Sequence, residues 1–111
     1  MQRSNIGEFE ELVLLIVAIA DGEAYGVSVM NDINAQTGRY ANISAVHSAL
    51  RRLETKGYVT SEWGAFSAER GGRRKRHFTI TRSGAQALTY VKETRNRLWE
   101  QIPKVALKFP E

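Results

Sequence analysis

An α+β architecture, mainly α, is predicted by three observations. Three stretches with helical apolar spacing each stop at or beside a glycine, two short alternating stretches flank a basic loop, and one long amphipathic stretch closes the chain. Helix, helix, helix, hairpin, helix is the order of a winged helix-turn-helix, here with a C-terminal dimerisation helix. The expected division is residues 1–81 for the winged-helix part and 82–111 for the dimerisation helix and tail, as one structural unit.

The first helix carries Phe9, Leu12, Val13, Leu15, Ile16 and Ile19 at spacings of about three and four and stops at Asp21-Gly22. Its apolar face is broad, which predicts packing on more than one side. The second helix starts near Ala24 and runs through Val27, Val29, Met30 and Ile33 to Thr37-Gly38, where glycine supplies a left-handed stop. Asn42 or Ser44 caps the third, whose inner stripe is Val46, Ala49, Leu50 and Leu53 and whose end is Gly57. A strand over Tyr58 to Trp63 places Val59 and Trp63 on one face. A loop spans about Gly64 to Arg73, and the return strand, Lys75 to Thr81, puts Phe78 and Ile80 inward. Thr81 caps the last helix, and Pro103 ends or kinks it near Ile102.

Composition narrows the class. The 111 residues suffice for one domain, and 42% hydrophobic with 25% charged content is ordinary for a folded soluble protein. There is no cysteine, so disulfides and thiolate zinc sites are excluded. The longest apolar run, Leu12 to Ala20, falls far short of the roughly 20 residues a spanning helix needs, and no signal-peptide pattern precedes it. A cytoplasmic protein without membrane contact is expected.

The net charge of +4 hides a division. Residues 1–50 carry two basic and six acidic side chains, residues 51–82 nine basic and three acidic, and residues 83–111 five and three. A basic block between flanks of lower charge is the footprint of a polyanion site, double-stranded DNA in this fold. With the apolar stripe of the third helix inward, Ser44, Ala45, His47, Ser48 and Arg51 share its outer face as candidate base readers. Small polar side chains near the start of that helix let it sit deep in a major groove. In the hairpin Arg70, Arg73, Arg74, Lys75 and Arg76 are candidates for phosphate contact. Strand alternation sets Lys75 and His77 opposite Arg74 and Arg76, so the set does not all touch DNA together. Tyr25, where the second helix would cross the backbone, is a further phosphate candidate; packing against the third helix is the other role open to it.

In the last helix Leu88, Val91, Leu98, Ile102 and Val105 recur at about helical spacing, with Arg95 filling one position. One short helix beyond a finished domain cannot cover that stripe alone, so a helix from a second copy is the expected cover and Leu88, Val91, Arg95, Leu98 and Ile102 the candidate interface.

Gly22-Glu23-Ala24-Tyr25-Gly26, the helix end Ala49 to Gly57, Ser61-Glu62-Trp63, the Gly71-Gly72-Arg73-Arg74-Lys75 wing and Thr79-Ile80-Thr81-Arg82-Ser83-Gly84 together resemble the PadR family of bacterial transcriptional regulators, over about residues 9–90. The short C-terminal part looks like the subclass with a single dimerisation helix. The resemblance implies a homodimeric repressor, often with its operator near its own gene or an efflux or stress gene. It also implies that an aromatic residue on the last helix can line an inter-subunit cavity for a planar, drug-like molecule. Trp99 is that candidate, with Phe9 or Leu12 as opposing wall; filling the dimer core is its other reading. This chain departs from the family where Leu-Tyr-Pro is common in the third helix and Val46-His47-Ser48 stands instead, so base preference does not transfer.

Other classes fare worse. An enzyme fails on inventory: neither His47 nor His77 has a Cys or carboxylate partner in a motif, and Gly71-Gly72 lies in a hairpin and not ahead of a helix. No metal site and no cofactor is expected. A winged-helix module that binds protein is permitted by the fold, and the basic wing argues against it.

Overall fold

Glu8, Glu10 and Glu11 fill the first turn of α1 (Glu8–Ala20), where the helix dipole favours negative charge. In the computed structural model of the chain, which describes residues 6–66 and 74–109, α1 is the central helix. Its Val13, Leu14 and Val17 are fully buried, and α2 (Gly26–Thr37), α3 (Ile43–Thr55), β2 (Arg74–Ile80) and α4 (Arg82–Gln101) all pack on it. The broad apolar face therefore serves several neighbours at once. Asp21 ends α1 in the left-handed region, φ 50°, with its N–H donating to the Ala18 carbonyl.

The second helix begins two residues later than the sequence suggests. Ala24 is drawn out of it because its carbonyl accepts the Phe78 N–H at 2.8 Å, an isolated antiparallel bridge that ties the α1–α2 connection to β2. Tyr25 becomes the N-cap, its N–H donating to Ser28 Oγ at 3.0 Å. At the far end Gly38, at φ 72°, supplies the left-handed stop, and the turn that follows is held by one side chain. The Asn34 amide donates to the Ala41 carbonyl at 3.1 Å and accepts the Ala41 N–H at 2.8 Å. Asn42 is the N-cap of α3, its Oδ1 accepting from Ala45 N at 2.8 Å, which decides between the two capping candidates.

Val46, Ala49, Leu50 and Leu53 are buried as a stripe of α3. Burying a leucine side chain is worth about 1.5–3 kcal/mol, so this stripe dominates the docking of α3. An ionic pin reinforces it: Glu10, 8% exposed, accepts from Arg52 Nε at 2.6 Å and Lys56 Nζ at 2.7 Å. Burial pushes the Glu10 carboxyl up, but the hydrogen bonds and charges of Lys56 and Arg52 outweigh it and hold the group below its ordinary value.

β1 (Val59–Phe66) pairs antiparallel with β2, with Val59 opposite Ile80 and Ser61 opposite Phe78. β1 runs past Trp63 into the expected loop, with a register shift between Trp63 and Phe66. Val59 is buried, whereas Trp63, on the same face, is 54% exposed because the hairpin projects beyond the core there. Val27 departs from the apolar stripe of α2: it lines the open cleft beside the hairpin and is 48% exposed. Thr81 caps α4 by accepting from Gly84 N at 3.0 Å, while its hydroxyl donates to the Gly57 carbonyl at 2.6 Å. α4 ends at Gln101, ahead of Pro103, and Val105 falls in a separate 3-10 turn, Lys104–Leu107.

Gly84 tests the docking of α4. A Cβ at this position would lie 2.2 Å from the Tyr58 carbonyl oxygen, a backbone atom that cannot swing away. Gly to Ala within an exposed helix normally stabilises by about 1 kcal/mol. Gly84→Ala is expected to do the reverse, lowering stability by about 1–3 kcal/mol in urea titrations. For Glu10, the lowered folded pKa means its contribution is complete above the unfolded value and lost as pH falls through the folded one. Because Arg52 is half-exposed, Glu10→Gln should cost about 1–2 kcal/mol at neutral pH, less than a fully buried pair. The gap between wild type and variant should narrow as pH falls below the ordinary glutamate range and vanish in stronger acid, and a gap that persists there would count against the ionic pin.

Candidate nucleic-acid interface

The pattern that buries one stripe of α3 turns another outward. Ser44, His47 and Arg51 are exposed, and Ala45 and Ser48 are half-buried. The hairpin rises beside this face, leaving a cleft of about 700 Å³ between α3, the start of α2 and the two strands. His47, Leu50, Arg51 and Glu54 line it from α3, Tyr25, Gly26 and Val27 from the α2 side, and Trp63, Arg74, Lys75, Arg76 and Phe78 from the hairpin. His47, Arg51, Tyr25, Arg74, Lys75 and Arg76 are thus brought together from separate parts of the sequence. Ser44, Ala45 and Ser48 lie on α3 outside the cleft lining. Arg70 and Arg73, with Gly71-Gly72, lie outside the described residues.

Each cation on β2 has an internal anchor. Lys75 Nζ sits 3.8 Å from the centroid of the Tyr25 ring, and His77 meets the same ring edge-on at 5.9 Å. Tyr25 therefore packs on β2 and frames the wing, while its place in the cleft lining leaves it beside whatever occupies the cleft. Arg74 Nε donates to the Gly64 carbonyl at 3.0 Å. Arg76 Nε donates to Ser61 Oγ at 2.9 Å, and its guanidinium lies 5.2 Å over the Trp63 ring. Lys75 and His77 share one neighbour and Arg76 has another, which matches the alternation of the strand. Arg51 makes no ion pair among the described residues, so its charge is available to a ligand.

Three participants have no obvious mark in the sequence. Gly26 leaves room for the His47 ring, whose Nε2 would lie 2.3 Å from a Cβ at that position. Trp63 reads as core from strand alternation but serves as a platform for Arg76. Glu54, one turn after Arg51, accepts the Ser61 hydroxyl at 2.6 Å and joins α3 to the hairpin. Its spacing from Arg51 is the signal that would have placed it at the cleft. Arg52, beside Arg51 in sequence, is instead spent on Glu10.

The candidate interface residues lie outside this cleft. Leu88 packs partly against the core, Val91 and Ile102 are half-buried, and Leu98 and Trp99 are 57% and 61% exposed. Arg95 bonds Glu11 of α1 at 3.1 Å. A shallow groove of about 370 Å³ runs between α1 and α4, and Trp99 lines it with Glu11, Leu15, Leu88, Thr89, Lys92, Arg95 and Asn96. Phe9 and Leu12 do not line this groove: both are half-buried, and Phe9 packs against the core with the Arg39 guanidinium 5.8 Å from its ring. Among the described residues no acidic and histidine cluster could hold a metal ion, and no helix is long and apolar enough to cross a membrane.

Three helices, a cationic hairpin and an outward helix face beside it define a winged-helix protein with a surface suited to a polyanion. The model of the PadR-like family of transcriptional regulators matches residues 14–90, and the chain belongs to that family, one of regulators and not of enzymes. Solved structures share the fold. A PadR-like transcription factor from Bacteroides fragilis is 17% identical over 83% of this chain and 84% of that one, with TM-score 0.71. A PadR-like transcriptional regulator from Bacillus cereus is 17% identical over 91% and 93%, with TM-score 0.72. A transcriptional regulator from Clostridium thermocellum is 25% identical over 92% and 89%, with TM-score 0.63. No curated protein matches the chain.

Proposed function

We propose that this protein is a homodimeric repressor that binds a pseudo-palindromic operator with α3 in the major groove and the wing on the phosphates. The observation that carries the reading is the shared cleft: Arg51 and His47 on α3 face the same space as Lys75 and Arg76 on β2. A helix set in a major groove at that face brings the hairpin against the adjoining backbone. Arg51 is the strongest base reader, because a guanidinium bonds guanine O6 and N7 in a bidentate manner. His47 lies beside Gly26 of α2 and supplies a second contact, while Ser44, Ala45 and Ser48 keep the groove-facing surface small. Arg74, and Arg70 and Arg73 of the wing, contact phosphate.

The surface of α4 supports dimerisation. Leu98 and Trp99 on α4 and Ile19 on α1 stand exposed in one chain, more apolar surface than one short helix leaves open without cause. Leu88, Val91, Arg95, Leu98 and Ile102 pack against a second copy, and Trp99 fills the seam. A planar hydrophobic small molecule that stacks on Trp99 is the class of effector the α1–α4 groove accepts. Two-fold symmetry then places half-site centres about one helical turn, 10–10.5 bp, apart, with the region upstream of the protein's own gene as first candidate operator.

On that upstream DNA, Arg51→Ala is expected to cost about 1–3 kcal/mol and to relax preference at one base pair. Arg74→Ala should weaken binding on all sequences alike and lower the slope of log K against log salt by about 1. No mobility shift at low salt would favour a protein-binding module instead. For the dimer, sedimentation should show Leu98→Glu converting a dimer to a monomer. A monomeric wild type would overturn the assembly, and in a Trp63→Phe background an absence of Trp99 quenching by planar cationic dyes would end the effector reading.

A further inference from the structure

Among the described side chains lining the cleft, Glu54 alone is acidic, and a carboxylate beside a phosphate-binding surface opposes the ligand. Its position is built and not incidental. Glu54 Oε2 accepts the Ser61 hydroxyl at 2.6 Å and lies 3.7 Å from an Arg76 guanidinium nitrogen. Ser61 Oγ in turn accepts from Arg76 Nε at 2.9 Å, so one hydroxyl relays between acid and base. Trp63 covers the guanidinium from one side at 5.2 Å. Lys75, by contrast, rests on the neutral Tyr25 ring.

We propose that Glu54 is a built-in counter-ion that withholds Arg76 from DNA phosphate in the free protein and so restrains sequence-independent binding. A carboxylate and a phosphate offer a guanidinium the same kind of acceptor, so Arg76 serves one of them at a time. Phosphate reaching Arg76 must displace Glu54, and it then faces an unpaired carboxylate in the same cleft. Both costs fall on every DNA sequence alike, whereas Arg51 adds affinity only where its base is present. The inference rests on the DNA-binding reading.

The test is a set of anisotropy titrations on a random-sequence duplex over a salt series, with wild type, Glu54→Gln, Arg76→Ala and the double variant. Glutamine keeps an acceptor for the Ser61 hydroxyl, and thermal melts confirm that each variant is folded. Glu54→Gln is expected to bind about two- to five-fold tighter, the worth of an exposed ion pair. Its salt slope should steepen by about 0.9, one added phosphate contact. Arg76→Ala should bind more weakly, because it removes a cation and leaves the Glu54 carboxylate unpaired beside the phosphates, but it should keep the wild-type slope. The double variant should recover that loss without the steeper slope of Glu54→Gln. Four results would overturn the inference: no gain in Glu54→Gln, weaker binding by it, a steeper slope that survives in the double variant, or a slope already lower by about 0.9 in Arg76→Ala alone. Wild type that binds no duplex even at low salt would instead remove the DNA-binding reading, and this inference with it.

Discussion

Burial of Val46, Ala49, Leu50 and Leu53 against α1 orients α3, and the cleft depends on that orientation. Because a helix turns through 100° per residue, seating one stripe determines which side chains look outward. Arg51 and His47 are presented because their neighbours are buried. The Glu10 pin removes residual freedom, since it engages Arg52 and Lys56 one turn apart on the flank of the stripe. A hydrophobic stripe resists sliding weakly along its own length, and a short ionic contact at its edge supplies the missing register.

Two main-chain contacts then place the hairpin. Phe78 N–H bonds the Ala24 carbonyl and Tyr58 N–H bonds the Leu53 carbonyl, so β2 is attached to the α1–α2 connection and the entry to β1 to the end of α3. Farther along the hairpin, Lys75 rests on the Tyr25 ring at the start of α2, and Arg76 packs across the strands on Trp63. The base of the wing is thereby rigid by backbone bonding, while its outer part is held by contacts that a polyanion can contest. Such a division suits a surface that must be shaped before binding and must still adapt to a backbone.

Two surfaces of the molecule do different work. One collects cations, the other exposes apolar area along α1 and α4, and the core is continuous through α1. Arg95, paired with Glu11, shows that a position in an apolar stripe can serve the fold of its own chain. Trp99 faces Leu15 and not Phe9 in the groove, because α4 lies along the face of α1 that carries Glu11 and Leu15.

The order of elements, the buried stripe of α3, the Thr81 cap and the stop before Pro103 were legible in the sequence, because each depends on residues within a few positions of one another. Family membership was legible too, since its motifs are local strings. What only the tertiary structure decided involves partners far apart along the chain. The late start of α2 came from a carbonyl claimed by Phe78, and the outward turn of Trp63 from a hairpin longer than its core. The sequence marked Arg51, Arg52, Arg74, Lys75 and Arg76 alike as positive. Distance then separated them into an arginine with no ion pair among the described residues, a buried acid's partner and anchored wing cations, because the strength of a charge's interaction depends on what lies within a few ångströms of it.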